Sequence, residues 1–253
     1  MKIAVSGKGG VGKTTLAAFL IKALADDATQ VLAIDADPAG HLGQALAMTG
    51  TDAITPIAQM RELIEERTES RSGNGSFFKL NPRVEDLPQK LAREKGLIRL
   101  MVLGGVQKGG AGCICPESTL LKNLVRHLIL DRNEAVVLDM EAGLEHLGRG
   151  TAAAVDHLIV VVEPGLRSLE TARRIQRLAK DLGLKNLDLV ANKVRSAQDR
   201  DFILTHMPGF HFLGFLPFSE QVLAADREGA APFEKDPEML QQVRNMLPLL
   251  RNE

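Results

Sequence analysis

Directly after the apolar run Lys2-Ile3-Ala4-Val5 comes Gly7-Lys8-Gly9-Gly10-Val11-Gly12-Lys13-Thr14-Thr15, and a helical pattern follows it. Glycines at this spacing let backbone N–H groups close around phosphate oxygens, and a helix starting near Lys13 points its positive dipole end at them. Lys13 neutralises the outer phosphates, and the Thr14 hydroxyl is a ligand for magnesium. Gly9, Gly10, Val11, Gly12, Lys13, Thr14 and Thr15 therefore form a candidate phosphate cradle. Lys8 is an extra lysine that an ordinary cradle of this type does not need.

Two further segments carry carboxylates where such a cradle can use them. Apolar Val31-Leu32-Ala33-Ile34 ends in Asp35-Ala36-Asp37-Pro38, and apolar Val136-Val137-Leu138 ends in Asp139. Strand-terminal carboxylates beside bound phosphates hold Mg²⁺ through its waters and orient an attacking water. Thr14, Asp35 and Asp139 are the candidate magnesium residues. A lone aspartate at a strand end is as often a cap for the next turn. Two such strands in a chain with a phosphate loop favour the metal.

A third apolar run, Leu187-Asp188-Leu189-Val190-Ala191, leads into Asn192-Lys193-Val194-Arg195. This resembles the Asn-Lys-x-Asp element with which GTPases read guanine, but Arg195 stands where the carboxylate belongs. An arginine offers only donors, so it cannot accept from the guanine N–H groups. Adenine makes no such demand. ATP is the expected nucleotide, with Asn192 and Lys193 beside the purine.

Both cysteines of the chain fall in Gly109-Gly110-Ala111-Gly112-Cys113-Ile114-Cys115-Pro116. Two thiolates one residue apart can bind one soft metal, yet they fill only half of a tetrahedral site. A two-fold interface between identical copies supplies the other two sulfurs. Two buried thiols packed as small apolar groups, or a strained disulfide, are the alternatives for a Cys-x-Cys pair. The polar, glycine-rich setting favours the metal. His146 is a lone histidine, and a surface or hydrogen-bonding role explains it more simply than ligation.

Around these residues the chain reads as α/β. Strands are expected over Lys2–Val5, Gln30–Ile34, Phe77–Leu80, Leu97–Leu103, Ala135–Leu138, His157–Val162, Leu187–Ala191 and Phe212–Phe215. Helices are expected over Thr14–Ala25, Ile57–Arg67, Ser118–Leu130, Leu147–Val155, Ser168–Leu182, Ala197–Met207 and Glu238–Leu250. Most strands are continuously apolar, as parallel strands covered on both faces must be. This rhythm implies a doubly wound, mostly parallel sheet with helices on both faces and ligands outside the strand carboxyl ends. Thr68–Ser76 and Gly104–Cys115 read as loops, and residues 1–253 are expected to form one domain.

Composition narrows the partners. Basic residues number 31 and acidic residues 32, so no global field attracts nucleic acid or an anionic membrane. Trp and Tyr are absent, which leaves base-stacking surfaces poorly supplied. No apolar run reaches the roughly 20 residues of a spanning helix. No signal-like leader is read at the start, and two cysteines do not make a secreted disulfide scaffold. A soluble, cytoplasmic protein without nucleic-acid or membrane partners is expected.

Lys8-Gly9-Gly10-Val11-Gly12-Lys13-Thr14, with Asp35, Asp37, Asp139 and Asn192, resembles the deviant Walker A class of P-loop ATPases that includes MinD, ParA and the nitrogenase iron protein. The resemblance implies ATP-dependent dimerisation. It also implies that Lys8 reaches the partner's nucleotide and that Asp37 positions the attacking water, which makes these two the candidate catalytic residues. The cysteine loop and Asp139-Met140-Glu141-Ala142-Gly143-Leu144-Glu145-His146-Leu147-Gly148-Arg149-Gly150-Thr151 narrow it further. Together they look like the CooC family, accessory ATPases for nickel insertion into carbon monoxide dehydrogenase and the related acetyl-CoA synthase. That likeness covers essentially the whole chain. It implies a homodimer binding ATP/ADP and Mg²⁺, with Cys113 and Cys115 of each copy holding Ni²⁺ or Zn²⁺. The main rival is a spatial-organising ATPase like ParA or MinD with no metal role. Its marks, a basic amphipathic C-terminus or a basic DNA-binding face, are weak here. An electron-transfer ATPase like the nitrogenase iron protein draws its cluster cysteines from two separated segments, which this chain lacks.

Overall fold

The computed structural model describes residues 1–37, 40–51, 54–70, 78–104, 116–130, 134–144, 147, 152 and 154–251. Its strands are β1 (Lys2–Gly7), β2 (Val31–Ala36), β3 (Arg93–Lys95), β4 (Ile98–Val102), β5 (Ala135–Met140), β6 (His157–Val162), β7 (Leu187–Val194) and β8 (His211–Pro217). The described helices are α1 (Lys13–Asp26), α2 (Leu42–Ala45), α3 (Arg61–Thr68), α4 (Leu87–Leu91), α5 (Pro116–Leu130) and α6 (Leu166–Leu182). They continue with α7 (Ala197–His206), α8 (Glu220–Glu228), α9 (Pro232–Lys235), α10 (Pro237–Arg244) and α11 (Leu247–Arg251).

The strands form one sheet of eight in the order β3-β4-β2-β5-β1-β6-β7-β8. Every pairing is parallel except β3 with β4. β2, β5 and β6 are buried along their whole length, which explains why they read as unbroken apolar runs. Successive residues still alternate between two cores. Ala4, Leu32, Leu138 and Val160 face the layer built from α3, α5, α6 and α7. Ile3, Val5, Ala33, Val137 and Ile159 face α1 and the C-terminal helices α9 to α11.

α1 runs between the sheet and those C-terminal helices, so it is apolar nearly all round, with Phe19 and Ile21 fully buried. The Phe19 ring meets Phe233 edge-on, with centroids 6.5 Å apart. Truncating Phe19 to alanine costs about 3–5 kcal/mol, enough to loosen the helix whose first turn builds the phosphate loop.

Departures from the sequence expectations have local causes. Phe78–Leu80 are not a strand, and Phe77 lies outside the described residues. The remaining strand is Arg93–Lys95, an exposed edge joined to β4 by a two-residue turn in which Gly96 has φ +59°. Its charged sequence has no strand periodicity, and pairing alone makes it extended. The helix expected over Ile57–Arg67 divides at Met60 into a 3₁₀ turn, Ile57–Gln59, and α3. The one expected over Glu238–Leu250 breaks between α10 and α11, where Pro248 lacks an N–H to continue it. Most of the helix expected over Leu147–Val155 lies outside the described residues. Among the described residues, no helix is long and apolar enough to cross a membrane.

Candidate functional site

β1 delivers the phosphate loop at the carboxyl edge of the sheet, between β5 and β6. Two glycines there have no substitute. A Cβ on Gly7 would sit 2.5 Å from the Val161 carbonyl oxygen of β6. Gly12 adopts φ +96° just before α1, and a Cβ there would run into the Asn192 amide. Gly9 and Gly10 face open space. No side chain caps α1, and no acidic residue stands in its first turn, so its leading N–H groups and dipole stay available to an anion.

Lys13 is only 8 % exposed, and its Nζ donates to the Lys8 carbonyl at 3.4 Å. Thr14, Thr15, Gly10, Gly12, Asn192 and Lys193 line a cavity of about 540 Å³. The cavity runs on to Pro217, Phe218 and Ser219 after β8 and to His41 and Gln44 beside α2. It has room for a whole nucleotide, with phosphates at the α1 end and the base at the β8 end.

The Asn192 Nδ2 donates to the Val11 carbonyl at 2.8 Å, and its Oδ1 accepts from the Lys193 N–H at 2.9 Å. It thus ties β7 to the phosphate loop as well as lining the cavity. Lys193 is held at φ +59°, a costly conformation for a lysine, and its Nζ donates to the Gly10 carbonyl at 2.5 Å. Arg195 lays its guanidinium over the Phe218 ring, 3.7 Å from the centroid.

The strand-end carboxylates gather beside Thr14. Asp35 is fully buried; its Oδ1 accepts from the Asp37 N–H at 3.2 Å and its Oδ2 from the Leu42 N–H at 2.9 Å. It therefore fixes the turn that carries Asp37. Burial pushes its carboxyl up to about 6, against those two hydrogen bonds. Asp139, 1 % exposed, is raised to about 7, chiefly by burial. Thr14 and Lys13 favour its charged form, while Asp35 and Asp37 oppose it. Neither Asp139 oxygen has a hydrogen-bond partner of full geometry among the described residues. A buried carboxylate left so, next to a threonine hydroxyl and an open phosphate cradle, fits a hydrated Mg²⁺. When bound, that ion supplies charge neutralisation across the outer phosphates.

Two residues the sequence reading missed belong here. The Ser6 hydroxyl donates toward the carbonyls of Gly143, at 3.2 Å, and Glu141, at 3.4 Å, pinning the segment after Asp139 to β1. Glu163, directly after β6, faces both Lys8 and Lys193 at 3.6 Å. The signal for Glu163 was present: it is a carboxylate at the end of an apolar strand, like Asp35 and Asp139.

Cys113, Cys115 and His146 lie outside the described residues. Among the described residues, no group of three or more His, Cys, Asp or Glu side chains is arranged to hold a metal ion.

A family model for the CobQ/CobB/MinD/ParA nucleotide binding domain matches residues 2–233. The carbon monoxide dehydrogenase accessory protein CooC of Rhodospirillum rubrum is 46% identical over 239 residues, covering 94% of this chain and 91% of that protein. An uncharacterized ATP-binding protein of Methanocaldococcus jannaschii is 43% identical over 250 residues, covering 97% and 96%. Among solved structures, the septum site-determining protein MinD of Pyrococcus horikoshii in complex with Mg-ADP superposes with a TM-score of 0.68 at 20% identity, over 99% of this chain and 95% of that one. That likeness establishes the MinD-like P-loop fold. With the phosphate loop, the strand-end aspartates and the identity to CooC, the chain is an ATPase of the CobQ/CobB/MinD/ParA family and belongs, within it, to the CooC family.

Proposed function

We propose that this ATPase is a cytoplasmic accessory protein for nickel insertion into carbon monoxide dehydrogenase or the related acetyl-CoA synthase. Residues 1–253 act as one nucleotide-binding unit, and two copies form a homodimer when ATP and Mg²⁺ are bound. The observation that carries this reading is identity of 46% over 94% of the chain to a carbon monoxide dehydrogenase accessory protein. The lone Cys113-x-Cys115 pair supports a metal role, because two copies supply the four thiolates of a soft-metal site.

In each copy the N–H groups from Gly9 to Thr15 and the Lys13 ammonium hold the phosphates, while Asn192 and Lys193 border the base. Thr14, Asp35 and Asp139 hold Mg²⁺ directly or through water, with Asp35 also setting the turn that presents Asp37. Lys8 reaches the partner's nucleotide, and Asp37 aligns the water that attacks the γ-phosphorus, giving ADP and phosphate. Nickel is the cargo, and zinc competes for the same sulfurs. Hydrolysis removes the contacts to the γ-phosphate. The segment after Asp139, pinned by Ser6 beside the phosphates, then relays that loss to the interface.

Metal analysis of the purified protein in its ADP and ATP states, read beside its oligomer size, tests this reading. The expected result is one Ni²⁺ or Zn²⁺ per dimer, lost in Cys113→Ala. ATP-driven dimers without stoichiometric metal would instead favour a spatial-organising ATPase of the MinD or ParA type.

A further inference from the structure

We propose that Glu163 is a positioning residue that keeps Lys8 within its own subunit, so that Lys8 must leave Glu163 before the ATP-bound dimer closes. The inference rests on the reading that Lys8 acts on the partner's nucleotide. Glu163 is well placed for this task. Its backbone N–H donates to the Ser168 hydroxyl at 3.1 Å, and Ser168 is buried at the start of α6, so the carboxylate is carried on a fixed turn. Its two oxygens are divided. Oε1 lies 3.6 Å from the Lys8 Nζ, and Oε2 lies 3.6 Å from the Lys193 Nζ.

The strength of this contact suits a latch. Both lysines and the glutamate are partly exposed, and water screens such pairs to about 1 kcal/mol or less. A buried pair would hold Lys8 too firmly to be released, whereas a screened one yields to a triphosphate. Release also leaves no stranded charge. Lys193 stays with Glu163, held in place by its bond to the Gly10 carbonyl. In the single subunit, Glu163 offsets the positive charge that Lys8, Lys13 and Lys193 crowd around the loop.

The test is an ATP titration of dimerisation, followed by sedimentation of the full chain with Mg²⁺, in wild type, Glu163→Gln, Glu163→Ala, Glu163→Asp and Lys8→Ala. Melting temperature in ADP is recorded for each. The expected result is dimerisation of Glu163→Gln and Glu163→Ala at about two- to fivefold lower ATP than wild type, with Glu163→Asp returning toward wild type. Lys8→Ala is expected not to dimerise. If Lys8→Ala fails to dimerise but Glu163→Gln and Glu163→Ala need as much ATP as wild type or more, the latch is wrong and the reading of Lys8 stands. If Lys8→Ala dimerises like wild type, that reading falls and the latch falls with it.

Discussion

Asp35 and Asp139 are direct register partners on the adjacent parallel strands β2 and β5, so their side chains leave the same face of the sheet at the same level. Both are buried, and each is raised well above the ordinary carboxylate range, to about 6 for Asp35 and about 7 for Asp139. Two carboxylates confined this way oppose folding unless a cation joins them. The phosphate loop, one strand away, delivers that cation with its nucleotide.

The pH dependence of stability follows from these two groups. A carboxyl raised on folding binds its proton more tightly in the folded chain, so the penalty is absent below the unfolded value of 3.8 and complete above about 7. Their contribution therefore lowers the melting temperature of the nucleotide-free protein as pH rises from about 4 to 8. Asp139→Asn is expected to flatten that decline and to melt higher than wild type at pH 8. Hydrolysis in the same variant should fall roughly a hundredfold. Melting scans without nucleotide, paired with phosphate release, check both halves. A variant less stable than wild type at pH 8 contradicts the assignment.

The two loop lysines should separate by function. Lys13 is buried against the loop carbonyls, whereas Lys8 is partly exposed and paired with Glu163. Lys13→Ala is expected to weaken nucleotide binding about 10- to 100-fold through loss of charge-assisted bonds to phosphate. Lys8→Ala should bind ATP nearly as wild type yet lose hydrolysis. Calorimetric titration with ATP and a turnover assay resolve the pair, and equal loss of binding in both variants contradicts it.

Asn192 anchors the loop to β7, and this predicts a coupled pair of effects. Asn192→Ala removes the bond to the Val11 carbonyl and should weaken nucleotide affinity by about fivefold. Gly12→Ala drives a methyl group into the Asn192 amide at a left-handed position and should abolish binding. Competition with GTP in the wild type checks base choice. ATP is expected to win, since Arg195, the residue in the place of a guanine-reading carboxylate, lies over Phe218.

The parts of the site that were legible in the sequence are those where backbone geometry restricts residue type. The phosphate loop declares itself because Gly7 and Gly12 tolerate nothing larger, and the central strands declare themselves because both their faces are covered. Glu163 follows the same strand-end rule as Asp139, but its partner Lys8 is 155 residues away, and only the β1–β6 pairing brings them together. Asn192 was read as a neighbour of the purine; its bond to Val11 became visible only once β7 and the loop were seen side by side. Arg93–Lys95 stayed hidden because a charged edge strand owes its shape to its neighbour and not to its own residues.

The most direct test of the nickel reading measures metal and mass on the same sample. Native mass spectrometry with ATP and limiting Ni²⁺ or Zn²⁺ is predicted to give a dimer carrying one ion, and Cys113→Ala or Cys115→Ala should give the dimer without it. A wild-type dimer that carries no ion, or monomers that each hold their own, would contradict a site shared between two copies.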